Sequence, residues 1–335
     1  MVDGNLITDV PGLRVGNAHD ERLASGVTVV LLENASAVSC VVLGGAPGSR
    51  ETALLEPEMI ATGVDAVVLS GGSVFGLDAA TGVQALLRER GVGLPFAGIR
   101  VPLAAQAICF DLLNGGDKDW GRFPPYRELG YAAAEAAGED FALGSAGGGY
   151  GATTVDLKGG LGSASALTPS GFRVGALAVV NAIASAVIGD GPNFWAAPFE
   201  EGVEFGGLGS PPRVTPAMRE LRWKGGPQPG TTIALVATDA ELTKPEAKRL
   251  AIAAGGGLHK ALRFANAETD GDTIFAAATA RAEKRPELND LVAIGATAAD
   301  CLARAIARAV YEAAALPCCP QAPAWRDRFG GDARP

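Results

Sequence analysis

Residues 144–160 read GSAGGGYGATTVDLKGG, and the residues after the glycine run decide the fold class. Gly147-Gly148-Gly149-Tyr150-Gly151-Ala152 formally satisfies the dinucleotide fingerprint G-x-G-x-x-A. That fingerprint binds a pyrophosphate only where a helix begins at once, so that its N-terminus faces the phosphates. Here TTVDLKGG comes next, a strand-like run closing on two more glycines. A doubly wound nucleotide-binding sheet is therefore disfavoured. Working outward, the apolar runs at 27–32 and 37–43, divided by polar ENAS, read as a hairpin or paired strands. Further strands are predicted at 66–69, 107–112, 153–158, 174–180, 231–237 and 274–279. Helical patterns cover 52–60, 77–90, 131–137, 244–262 and 296–315. Strands in pairs with helices in long singles favour layered antiparallel sheets with helices outside them.

The bulk composition suits such a fold. Of 335 residues, 48% are hydrophobic and 19% charged, enough to bury a sizeable core. No internal repeat or linker divides the chain, so residues 1–335 read as one domain. The Gly-, Pro- and Trp-rich segment 189–230 reads as a long surface excursion, and the tail 317–335 as loosely held. A net charge of −9 without a Lys/Arg cluster argues against nucleic acid, which needs a basic face. The longest apolar stretch, 174–188, is too short to span a bilayer and carries Asn181, so no membrane contact is expected. The opening MVDGNLITDV has no signal-peptide pattern. Five cysteines, mostly in apolar runs, read as reduced core thiols of a cytoplasmic protein. With two histidines and no zinc spacing, neither a metal nor a cofactor is expected.

Several chemistries fail on residue grounds. A Ser-His-Asp hydrolase needs a histidine, and His19 and His259 both sit in polar surroundings. The sequence Gly71-Gly72-Ser73-Val74-Phe75 lacks the final glycine of a nucleophile elbow. Gly76 is followed by Leu77, which closes the phosphate-loop route. An amide can still be hydrolysed by a Thr or Ser freed as a new N-terminus. Its own α-amine, with a pKa of about 7.7–8.0, then serves as the base. Several hydroxyl residues could fill that role, and composition does not choose among them.

Four ordered segments resemble the P1/S58 family, the DmpA-like aminopeptidases and related nylon-oligomer hydrolases. They are ITDVPGLRVGNAHD with GGAPGSRETALLEP; LSGGSVFGLDAATGV; GGGYGATTVDLKGGLGSAS with VGALAVVNA; and VATDAELTK with DGDTIFAAAT and GATAADCLARAIARAV. The resemblance implies a four-layer α-β-β-α sandwich, related to the ornithine acetyltransferase fold. It also implies self-cleavage into two chains that stay together, and a homo-oligomer of the cleaved pair. Carried onto DGDTIF, it makes Thr273 the nucleophile and Asp272–Thr273 the scissile bond, leaving chains 1–272 and 273–335.

Around that threonine, the chemistry suggests further roles. Asp270 and Asp272 bracket a glycine that permits the tight turn self-attack requires. Asn181, ending an apolar strand, is the candidate oxyanion donor; the alternative is a structural, hydrogen-bonded Asn. Lys158 is a candidate to hold the new amine neutral, or else a solvated strand-end lysine. Asp290 and Asp300 are candidates to orient Thr273, though Asp300 equally suits a helix-terminal charge. Tyr150 and Gly149 are expected to line the substrate pocket. The expected activity is hydrolysis of amide bonds in small peptides or amide oligomers. An acyltransferase of the ornithine acetyltransferase type and a non-cleaving ligand-binding relative remain open.

Overall fold

Alternate residues of the apolar strands bury against different neighbours, and that alternation builds the layers. The computed structural model describes residues 4–33, 37–225 and 229–330. Its strands are β1 (Leu13–Asp20), β2 (Ser25–Leu32), β3 (Ala37–Val42), β4 (Ser49–Arg50), β5 (Ala66–Ser70), β6 (Leu94–Phe96), β7 (Ile99–Val101), β8 (Ala104–Ile108), β9 (Gly160–Leu167), β10 (Arg173–Asn181), β11 (Thr231–Thr238) and β12 (Thr273–Ala278). The helices are α1 (Ser73–Gly76), α2 (Ala79–Glu89), α3 (Tyr126–Glu135), α4 (Lys244–Ala254), α5 (Gly256–Ala261), α6 (Leu288–Tyr311) and α7 (Trp325–Phe329).

Two five-stranded sheets stack, ordered β1-β2-β5-β8-β4 and β3-β12-β11-β10-β9. Leu177 and Val179 of β10 enter the core between the sheets with Val67 and Leu69 of β5. Their neighbours Ala176, Ala178 and Val180 point the other way, onto Ala305, Ile306 and Ala309 of α6. On the far side α2 lays Ala79, Val83, Leu86 and Leu87 against Val27, Val29 and Val68. The result is the expected α-β-β-α sandwich. The small residues have a purpose in it, because a side chain on Gly162 of β9 would collide with the Ala305 carbonyl. No helix among the described residues is long and apolar enough to cross a membrane.

Local expectations are corrected in several places. The runs 27–32 and 37–43 do not pair. β2 makes its hairpin with β1, from Leu13↔Leu32 to Asp20↔Ser25, whereas β3 joins the other sheet beside β12. Both runs bury both faces, so their periodicity holds no pairing information. Most of their ENAS connection lies outside the described residues. The sheets are also mixed, since β5–β8 and β11–β12 run parallel. Segment 52–60 holds a single 3-10 turn at Ala53–Leu55 rather than a helix, and Glu56 before Pro57 is extended at ψ 144°. Segment 153–158 is a tight loop closed by one Thr153↔Lys158 bridge, and the strand begins two residues later. The helix over 244–262 breaks at Gly255.

The tail and the excursion both differ from a loose surface. Trp325 is buried, stacks on Phe194 at 5.7 Å and donates its indole N–H to the Pro192 carbonyl at 3.0 Å. Phe194 and Phe205 belong to the core. Through residue 330, therefore, the tail is packed.

Candidate active site

Thr273 opens β12 between two neighbours, opposite Val42 of β3 and Ile233 of β11. It shares the parity of Phe275 and Ala277, which fill the inter-sheet core. Asn181 shares the parity of Leu177 and Val179 and sits opposite Thr231. The two side chains thus face the same interior layer at the same end of the sheet. Asn181 lies two strands from Thr273 and two residues beyond its row.

The chain entering Thr273 is tightly held. The Thr273 side chain is fully buried and its hydroxyl donates to the Gly271 carbonyl at 3.0 Å. The Asp272 carbonyl accepts two backbone N–H groups, from Leu43 at 2.9 Å and Gly44 at 3.2 Å. This approach explains the glycines of GGAPGSRE, since a side chain on Gly44 would collide with the Asp270 carbonyl. Asp272 accepts from the N–H groups of Thr232 at 2.6 Å and Asn266 at 2.8 Å. Burial, then the neighbouring Asp270 charge, pushes its carboxyl up to about 7. Asp270 accepts from the Ala267 N–H at 2.9 Å and is raised by burial, while its buried Oδ1 has no hydrogen-bond partner among the described residues.

Beside this segment lies a cavity of about 240 Å³, lined in part by Asp111, Thr153, Asn181, Trp223 and Lys224. Asp270 packs on Gly230, the neighbour of the cavity-lining Pro229, while Thr273 is not among the lining residues. Asn181 donates Nδ2–H to the Phe110 carbonyl at 2.8 Å. Its Oδ1 accepts from the Thr153 N–H at 3.0 Å and from Lys224 Nζ at 3.2 Å. Lys224 Nζ donates also to the carbonyls of Thr153 at 2.7 Å and Asn181 at 3.2 Å. Burial lowers this ammonium to about 8. Asp111 accepts from Ser25 Oγ at 2.6 Å and the Gly72 N–H at 2.7 Å, and burial raises its carboxyl.

The other expected residues fall unevenly. Lys158 is wholly buried in the same cluster and lowered to about 7 by burial. Its hydrogen bonds go to the carbonyls of Gly149 (3.1 Å), Ala152 (2.7 Å) and Gly159 (2.8 Å), not to Thr273. Gly149 is a packing glycine, pressed against Gly160 and Leu161, and lies outside the cavity lining. Tyr150 stacks on His19 at 4.2 Å and also lies outside that lining. Asp290 and Asp300 are misplaced for orienting Thr273, because α6 covers the opposite face of the sheet. Asp290 accepts from the Glu287 N–H at the helix start, and Asp300 binds Lys260 at 2.5 Å. α6 buries the stripe Ile294, Ala298, Cys301 and Leu302, which turns both aspartates away from the site.

Sequence reasoning misses Lys224 and Asp111. Lys224 sits in RWKGG, inside an aperiodic segment, and Asp111 follows an apolar run like many strand-end aspartates. Neither carries a local signal of burial.

Comparison with known proteins agrees with this architecture. The family described as Peptidase family S58 matches residues 5–321. An uncharacterized aminopeptidase of Mycobacterium bovis is 41% identical, with 98% of each chain covered. A 6-aminohexanoate-oligomer endohydrolase of Kocuria sp. is 26% identical over 81% of this chain and 74% of its own. A Burkholderia sp. beta-aminopeptidase structure superposes with a TM-score of 0.67 at 23% identity, covering 93% of this chain and 87% of that one, and so shares the fold. On the family match and the 41% identity together, this chain belongs to peptidase family S58, with the amide-bond hydrolysis that a peptidase family implies.

Proposed function

We propose that the chain cleaves itself before Thr273 and then hydrolyses amide bonds of small peptides or amide oligomers through a Thr273 acyl-enzyme. The observation that carries this reading is the Asp272 carbonyl, held by the N–H groups of Leu43 and Gly44 immediately before a buried threonine hydroxyl. Two N–H donors on one carbonyl oxygen are what a developing oxyanion requires. Thr273 Oγ attacks the Asp272 carbonyl carbon, the C–N bond breaks, and the nitrogen takes the hydroxyl proton. Water then hydrolyses the Asp272 ester, leaving an Asp272 carboxylate and a free Thr273 amine.

Scission releases residues 270–272 from the strand and opens Thr273 toward the cavity beside Asn181. The amine, with an ordinary pKa of about 7.7–8.0, accepts the Oγ proton as the hydroxyl attacks a substrate carbonyl. Asn181 keeps one Nδ2–H for the oxyanion. The leaving amine takes a proton, and water resolves the acyl-enzyme. The activity for which the Kocuria relative is named supports amide oligomers as one substrate class.

Intact mass and N-terminal sequencing of purified protein test the first step. Two chains, 1–272 and 273–335, are expected, with sequencing from Thr273. A protein that remains whole while turning over substrate overturns the reading.

A further inference from the structure

We propose that Lys224 is a positioning residue whose ammonium orients the Asn181 amide, so that one Nδ2–H is left for the reacting carbonyl. The proposal rests on the reading of Asn181 as oxyanion donor. Which end of an Asn side chain is oxygen is ordinarily settled by its neighbours. At Asn181 those neighbours leave one solution. The Thr153 N–H and the Lys224 ammonium can only donate, so they face Oδ1, while the Phe110 carbonyl can only accept, so it faces Nδ2. An amide nitrogen carries two hydrogens. Phe110 takes one, and the other is left on a side chain that lines the cavity. Turning the amide over would set its nitrogen against two donors.

The same ammonium ties the Thr153 loop to the end of β10, because it binds the carbonyls of Thr153 and Asn181. Its position is enforced from the excursion. The Lys224 N–H donates to the Ile183 carbonyl at 2.8 Å, Trp223 bridges to Ala184, and Arg222 pairs with Asp156 at 2.9 Å. Phe194 and Trp325 anchor the start of the segment. A stretch without regular periodicity therefore delivers one buried cation to one amide.

The test compares Lys224→Met, Asn181→Ala and the double variant, using amino-acid p-nitroanilides. For the Lys224→Met variant we expect normal self-cleavage, a kcat lower by roughly 10- to 100-fold and a KM within about threefold of wild type. The double variant should be no slower than Asn181→Ala alone, because Lys224 acts through Asn181. Losses that multiply, or a kcat unchanged in Lys224→Met, overturn the proposal. Should Lys224→Met fail to fold, Lys224→Ala with added propylammonium replaces it; restored kcat supports the proposal and no restoration overturns it. A substrate-free arm follows the Asn181 side-chain NH2 resonance by NMR, which should shift in Lys224→Met; an unmoved resonance overturns the proposal. An uncleaved wild type with a fully active Thr273→Ala variant would instead remove the nucleophile reading, whatever Lys224 does.

Discussion

Two of the regions that bury cations do so in opposite ways. In the C-terminal half of α6, Arg304 is almost wholly buried and forms a two-pronged pair with Glu204, Nε–Oε1 at 2.6 Å and Nη2–Oε2 at 3.0 Å. It also binds the Ser165 carbonyl and Asn5. The Arg304 guanidinium is raised, and against the upward push of burial its hydrogen bonds help hold the Glu204 carboxyl below its ordinary value. Lys224 at the cavity and the buried Lys158 donate, among the described residues, to uncharged oxygens, and burial lowers both. A cation matched by a carboxylate is a clamp. One matched by carbonyls stays close to giving up its proton, and its field acts on neighbouring polar groups.

The largest effect should come from removing the Thr273 hydroxyl, in the same interior layer as Asn181. Thr273→Ala is expected to leave a single uncleaved chain and to lower turnover by at least about 10³-fold. Its melting temperature should stay near that of other uncleaved protein. Loss of folding instead of turnover would erase the distinction between the two regions. Next in size is Arg304→Met, which strands a buried Glu204 carboxylate and should cost about 3–5 kcal/mol in denaturant unfolding. Adding Glu204→Gln should recover much of that loss, while self-cleavage of the folded protein is unchanged.

The smallest effect sharpens the contrast through pH. Lys158 titrates near 7 in the folded chain and near its ordinary value of about 10.4 when unfolded. Between those values the unfolded chain holds a proton that the folded chain lacks, so stability should rise with pH across that window. Lys224, lowered to about 8, adds to the rise. Melting temperatures at pH 7.5 and 9.5 should therefore differ less in Lys158→Met than in wild type. An equal rise in both proteins would show that Lys158 is not the titrating group.

The layer order follows from the family resemblance, whereas the apolar strands are legible in the sequence because unbroken apolar runs report burial, as in β10 and β11. Pairing is not, because β2 and β3 are buried on both faces and any partner would satisfy them. The site divides along similar lines. Thr273 opens β12 and Asn181 ends β10, so strand parity places both in one layer. Lys224 arrives on an aperiodic segment, where spacing says nothing of direction. Asp290 and Asp300 fail for a related reason. A helix has two sides, and nearness in sequence to β12 does not reveal that the sheet stands between them and Thr273.

The place of β12 in its sheet has a consequence for a nicked molecule. β12 is an interior strand, with β3 on one flank and β11 on the other, and α6 follows it on the same side of the break. Parting residues 273–335 from the rest would mean unzipping two ladders and stripping a 24-residue helix from the core. Dilution would not separate the pieces as it separates subunits. They would come apart at the denaturation midpoint and, once apart, would have no obvious route back.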